Sequence, residues 1–184
     1  MNDRTGSDER QLDALLAACA GGDREAFRSL YRFGSPRLFG LLLRMLGRRD
    51  LAEDVLQEVF VTVWNRAGDF RSSRGSATTW LTSIARNRAI DALRKSSRRP
   101  LSAVEPDELP GRADPFGEVA LDQSSARLGE CLELLGDDYR HSLALAFFEG
   151  LSHSEIAERL GRPLGTVKSW IRRALESLRG CLEA

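Results

Sequence analysis

The apolar residues of this chain recur almost everywhere at spacings of three and four, and the strict alternation of a half-buried strand is almost absent. That periodicity confines the fold to helices packed on helices. Four prolines, at positions 100, 106, 110 and 115, then cut the helical pattern in two, within a stretch rich in acidic residues and poor in apolar ones. Such a segment cannot carry a helix and reads as a tether. The expected architecture is all-α, with two small helical domains over residues 11–97 and 120–184. An acidic Pro-rich linker over 98–119 joins them, and a disordered polar tail over 1–10 precedes them.

In the first half, a helix from about Gln11 to Ala20 should stop at Gly21-Gly22. Asp23 can cap the next, which places Ala26, Phe27, Leu30 and Tyr31 on one face; Gly34-Ser35-Pro36 either kinks this helix or restarts it. Asp50 with Glu53 forms a capping-box-like start to a third helix, with Leu51, Val55, Val59 and Val63 inward. Gly68 to Ser76 is a loop by composition. A fourth helix, from about Ala77 to Lys95, should bury Leu81, Ile84, Ala85, Ala89 and Ala92. In the second half a helix through Leu121–Leu135 and another from near Asp137 precede a more distinctive pair.

That pair is Gly150 to Gly161 followed by Arg162 to Arg173. Ser152 caps a short helix and Glu155 completes its capping box, while Ile156, Ala157 and Leu160 supply an apolar face. Gly161 offers the left-handed C-cap that lets the chain turn sharply. Thr166 can cap a longer helix whose inward row is Val167, Ile171, Ala174, Leu175 and Leu178. At about 100° per residue, Lys168, Ser169, Arg172, Arg173 and Glu176 fall on the other side. A face opening with Lys, Ser and Arg suits the leading end of a recognition helix in a major groove, where Arg reads guanine and Ser and Lys hold phosphates. The competing reading is a merely structural helical hairpin.

Charge supports a polyanion partner. The 27 basic and 27 acidic residues cancel, yet residues 1–99 carry +6, residues 100–138 carry −8 and residues 139–184 carry +2. Two basic modules thus flank an acidic connector, which can lie over them or be repelled by nucleic acid. Only Lys95 and Lys168 are Lys; the Arg excess favours bidentate contacts or reflects a GC-rich genome. Hydrophobic residues make up 42% of the chain, enough for packed cores, and the densest apolar run, Leu38 to Leu46, is too short and too broken to span a membrane. The polar N-terminus resembles no secretory signal, so a reducing, cytoplasmic setting is the default. No nucleophile–base set, Gly-rich phosphate loop or metal-ligand spacing appears: the expectation is a non-enzyme with no cofactor and no metal.

The first half has its own signature. Trp64, Phe70 and Trp80 are expected to cluster about a basic loop (Arg66, Arg71, Arg74), followed by a helix carrying Arg86, Asn87, Arg88 and Asp91. Aromatics interleaved with Arg suit single-stranded nucleic acid, whose bases stack and whose phosphates pair. Asp54, Gln57 and Glu58 form an acidic patch opposite the apolar row, which on its own reads as a solvated helix face.

Two runs in this half, Asp50 to Trp64 (DLAEDVLQEVFVTVW) and Trp80 to Arg94 (WLTSIARNRAIDALR), resemble region 2 of bacterial RNA polymerase sigma factors of the extracytoplasmic function (ECF) group. The hairpin of the second half resembles their region 4, through Glu155-Ile156-Ala157 and Gly165-Thr166-Val167-Lys168-Ser169. The likeness spans roughly residues 11–97 and 120–180, in the expected order. It implies that Asp54, Gln57 and Glu58 meet the β′ clamp of core RNA polymerase, with the β flap a further contact. It also implies that Asp69, Phe70, Arg71, Ser72 and Ser73 capture a flipped base of a promoter −10 element, with Arg86, Asn87 and Asp91 nearby and Trp80 where the promoter melts. Thr166, Lys168, Ser169, Arg172 and Arg173 would then read the −35 element. Many members carry Arg where this chain has Trp170, which here falls at the edge of the inward row and suits packing. The resemblance further implies control by an anti-sigma factor, membrane-anchored or soluble.

Cys131 and Cys181 lie on the first and last helices of the second domain, which must pack together in a four-helix unit. They are expected within disulfide range, as a reversible thiol pair, or else as two small buried hydrophobes. Cys19 stands alone. Two rival functions remain: a one-component regulator with a ligand-sensing domain fused to a LuxR-like hairpin, and a redox-controlled module that sequesters a partner. Neither accounts for an acidic helix placed before a Trp/Phe loop.

Overall fold

The computed structural model describes residues 3–97 and 123–183, which form two compact units, all-α among the described residues. The linker expected over 98–119, with its four prolines, lies outside the described residues. Unit 1 holds α1 (Asp3–Ala20), α2 (Arg24–Leu46), α3 (Arg49–Arg66), 3₁₀ turns at Ala67–Asp69 and Ser72–Arg74, and α4 (Ala77–Ser97). Unit 2 holds α5 (Gln123–Glu133), α6 (Asp137–Phe147), α7 (His153–Leu160) and α8 (Leu164–Glu183).

α1 begins at Asp3, so residues 3–10 are helical where a tail was expected. The reason is polar and long-range. The Glu9 carboxylate accepts the Thr78 backbone N–H at 2.9 Å and the Thr78 hydroxyl at 2.7 Å, tying α1 to the first turn of α4. Burial pushes the Glu9 carboxyl up, but the Thr78 hydroxyl and amide, helped by Ser76 and the Ala77 amide, hold it below its ordinary value. Apolar periodicity carries no trace of such a contact.

Asp23 caps α2 as expected, its Oδ1 accepting the amides of Glu25 at 2.8 Å and Ala26 at 3.1 Å. α2 then runs unbroken through Pro36, so the chain does not restart at Ser35. The missing Pro36 amide removes one helix hydrogen bond, which the buried row Leu30, Gly34, Leu38 and Leu42 outweighs. At roughly 1.5–3 kcal/mol for each fully buried large aliphatic side chain, that row decides the outcome. The capping box expected at Asp50 and Glu53 does not form. α3 starts two residues earlier with Arg48 at its N-cap; Asp50 pairs with Arg48 and Glu53 with Arg49, the latter at 2.9 Å. Each carboxylate is taken by a neighbouring guanidinium in place of the reciprocal cap. Val55, Val59 and Val63 are buried, whereas Leu51 and, on α4, Ala92 are only half-buried.

In unit 2, α8 passes two hydrophobic clusters. Toward its C-terminus Ala174 and Leu178 pack with Cys131, Leu132 and Leu135; toward its N-terminus Val167 and Ile171 pack with Leu145, Ile156 and Ala157. Leu175 departs from the expected inward row and is 53% exposed. It sits at the row's flank, and α5 and α6 already cover the opposite edge. A disulfide joins Cys131 on α5 to Cys181 on α8, with Cα atoms 5.9 Å apart. Cys19 is a free, buried thiol.

Candidate nucleic-acid interfaces

The loop between α3 and α4 is built as two short 3₁₀ turns. Gly75, at φ +149°, lets the chain leave the second turn and enter Ser76, the residue before α4. Ser76 Oγ accepts the Thr79 amide at 3.2 Å while Glu9 takes the Thr78 amide, so two of the unpaired amides that open α4 are satisfied. This doubly capped turn presents Trp80, whose ring lies 5.7 Å from that of Phe70.

Around this pair opens a groove of about 590 Å³, lined by Arg66, Asp69, Phe70, Arg71, Arg74 and Trp80, with Gly75, Ser76, Thr79 and Ser83 completing it. Asp69 pairs with Arg66 at 2.9 Å, and Arg71 Nη1 donates to the Phe70 carbonyl at 2.7 Å, which stiffens the loop. An aromatic wall beside exposed guanidinium groups can stack a base and neutralise its phosphate.

Four of the nine residues expected at this site therefore meet in one groove: Asp69, Phe70, Arg71 and Trp80. Ser72 and Ser73 are exposed on the second turn, outside its lining. Asn87 and Asp91 are exposed farther along α4 on nearly the same stripe as Trp80, about 10 and 16 Å along the axis at 1.5 Å per residue. Arg86 projects from another side of the helix, half-buried, and burial lowers its pKa. Thr79 and Ser83 were missed as lining residues, although their spacing from Ser76 and Trp80 marks one helix face. Trp64 does not join the cluster: its ring packs 5.1 Å from Phe27, between α2 and α3.

On α3, Asp54, Gln57 and Glu58 are all exposed on one face. Val61, one turn on, extends the stripe and is 60% exposed. An exposed valine beside a polar row is legible in the sequence only by following the spacing 54, 57, 58, 61.

In unit 2 the capping box of α7 forms as expected: Ser152 Oγ accepts the Glu155 amide at 3.3 Å and the Glu155 carboxylate accepts the Ser152 amide at 2.6 Å. Gly161 is left-handed at φ +62° and ends the helix. α8 then starts at Leu164, three residues before the start expected with Thr166 as cap, so Thr166 lies inside the first turn rather than capping it. Its amide bonds the Pro163 carbonyl at 2.9 Å, and its own carbonyl accepts the Ser169 hydroxyl at 2.9 Å. Pro163 sets the turn because its fixed φ already suits a helix entry.

Lys168, Arg172 and Arg173 are exposed together, and Ser169 and Thr166 are half-buried beside them. Glu176 lies 4.0 Å from Arg172 and steadies it. Trp170 is half-buried, packing edge-on to Tyr139 at 6.3 Å. Among the described residues no helix is long and apolar enough to cross a membrane, and no group of three or more His, Cys, Asp or Glu could hold a metal ion.

The two units match different parts of one family. Residues 30–99 match the family described as Sigma-70 region 2, and residues 125–178 that described as Sigma-70, region 4. The chain is 37% identical over 177 residues to the ECF RNA polymerase sigma factor SigK of Mycobacterium tuberculosis, covering 94% of each chain. It is 36% identical over 181 residues to the SigK of Mycolicibacterium vanbaalenii, covering 94% of this chain and 89% of the other. Among solved structures it is similar to Rhodobacter sphaeroides SigE in complex with the anti-sigma ChrR, at 39% identity and a TM-score of 0.49 over 90% of this chain and 96% of that one. With both regions present in order and that identity held along nearly its whole length, the chain belongs to the ECF RNA polymerase sigma factors.

Proposed function

We propose that the protein acts in the cytoplasm, docking on core RNA polymerase and directing it to promoters by gripping the melted −10 element with unit 1 and the −35 duplex with unit 2. The observation that carries this reading is the groove walled by Phe70 and Trp80 and rimmed by Arg66, Arg71 and Arg74. It suits an unstacked base, and nothing in a duplex-only regulator calls for it. In this scheme Asp54, Gln57 and Glu58 form the polymerase-facing row, and Asp69, Phe70 and Arg71 with Trp80 hold the displaced base, Ser72 and Ser73 standing on the turn beside it. Asn87 and Asp91 line the path of the strand beyond it, and Arg86 approaches from the adjoining side of α4. Thr166, Lys168, Ser169, Arg172 and Arg173 face the −35 groove. An anti-sigma factor holds the protein inactive; SigE of Rhodobacter sphaeroides is seen in complex with such a factor, ChrR.

The disulfide adds a second layer. Cys131 and Cys181 join the first and last helices of unit 2, and we read them as a reversible pair that tightens or loosens α8 with the redox state. Catalysis belongs to the polymerase. Run-off transcription with purified core enzyme tests the scheme. Wild-type protein should give promoter-dependent transcripts. Trp80→Ala should keep core binding and lose most transcripts on duplex templates, recovering them on templates already mismatched at −10. Core enzyme that gains no promoter dependence from the wild-type chain would refute the proposal.

A further inference from the structure

The turn between α7 and α8 carries a cation that the base-reading face does not include. Arg162 is fixed at both ends. Its backbone amide donates to the Ala157 carbonyl at 2.9 Å, and its guanidinium lies over the Trp170 ring, 6.0 Å from the centroid. Trp170 is itself braced edge-on by Tyr139 of α6. The result is a ladder of Tyr139, Trp170 and Arg162 that runs from α6 across α8 to the turn.

Neighbouring cations are committed differently. Arg159 pairs with Glu149 and Arg172 lies beside Glu176, whereas among the described residues no carboxylate stands within ion-pair range of the exposed Arg162. Stacking orders the side chain without neutralising it, since the attraction is to the ring's quadrupole and leaves the guanidinium edges open.

Position on the helix says what those edges meet. At about 100° per residue, Trp170 falls on the flank of α8, between the exposed set of Lys168, Ser169, Arg172 and Arg173 and the buried row of Val167, Ile171 and Ala174. A helix seated in a major groove turns its face to the bases and its flanks to the sugar–phosphate walls. We propose that Arg162, held rigid by Trp170, contacts a backbone phosphate at the groove wall and fixes the seating of α8 without reading sequence. This rests on α8 being the recognition helix. It also gives Trp170 a role on the DNA side through its partner rather than by direct contact.

The test is the salt dependence of binding to a short mixed-sequence duplex, read by fluorescence anisotropy with the full chain. One lost phosphate contact removes about 0.9 from the slope of log K against log salt, which at about 0.1 M salt is about an eightfold loss in affinity. Arg162→Ala and Trp170→Leu should each show that loss, the double variant should lose no more than either, and Trp170→Phe should keep the wild-type slope. Far-UV circular dichroism should be unchanged for Arg162→Ala. If Arg162→Ala keeps the wild-type slope while Lys168→Ala weakens binding, the proposal falls and the recognition helix stands. A wild-type slope for Trp170→Leu beside a reduced one for Arg162→Ala overturns the stacking argument. Failure of the wild-type chain to bind the duplex, or indifference of binding to Lys168→Ala and Arg173→Ala alike, overturns the underlying reading of α8.

Discussion

Glu9 ties the N-terminal segment to the first turn of α4, so its removal should be felt across unit 1. Its carboxylate accepts two hydrogen bonds from Thr78, and hydrogen bonds to a charged group contribute about 1.5–3 kcal/mol each when sheltered. Glu9 is half-buried, so water competes and the pair together is worth about 2 kcal/mol, in line with the roughly 0.5–2 kcal/mol lost when a helix cap is removed. Glu9→Ala should cost that amount and Glu9→Gln, which keeps one acceptor, about half of it. For a domain of this size each kcal/mol lowers the melting temperature by roughly 4–8 °C. The folded pKa lies below the ordinary 4.5, so the stabilisation is complete above that value and is lost as the pH falls through the folded pKa. Thermal melts of the full chain, followed by Trp fluorescence, should therefore separate wild type from Glu9→Gln near neutral pH and converge in acid. A difference that persists unchanged in acid, or none at neutral pH, refutes the reasoning. Thr78→Val in the Glu9→Ala background should add little, because both variants remove the same contact.

Two further outcomes follow from unit 2. Cys181→Ser, or reduction of the wild type, opens a loop spanning a sequence separation of 50 residues. The chain-entropy relation puts that near 4 kcal/mol, so urea melts of oxidised and reduced protein should differ clearly in midpoint. Ser152→Ala removes the acceptor for the Glu155 amide and should cost about 1 kcal/mol in the same melts, with Ser152→Gly losing less.

What the sequence revealed was mostly local. The Asp23 cap, the Ser152–Glu155 box and the left-handed Gly161 each depend on residues within four positions of one another, and each formed as read. One local reading failed: Asp50 and Glu53 had the spacing of a box but were taken by the guanidinium groups of Arg48 and Arg49, two and four positions away. Contacts between distant positions were less legible. Glu9 and Thr78 are separated by 69 positions, and no periodicity links them. Trp64 looked like part of the Trp80 cluster because the two flank one loop, yet helix phase turned it toward Phe27. Cys131 and Cys181 were readable at a separation of 50 because packing a four-helix unit brings its first and last helices together.

The two-cluster seating of α8 has a consequence for how such a protein diversifies. Val167, Ile171, Ala174 and Leu178 lock the helix's rotation against its neighbours, while Lys168, Arg172 and Arg173 lie outside that lock. The side chains on that open face can thus be exchanged while the rod that carries them stays put; with α8 as the proposed recognition helix, new promoter preferences would arise at little expense in folding.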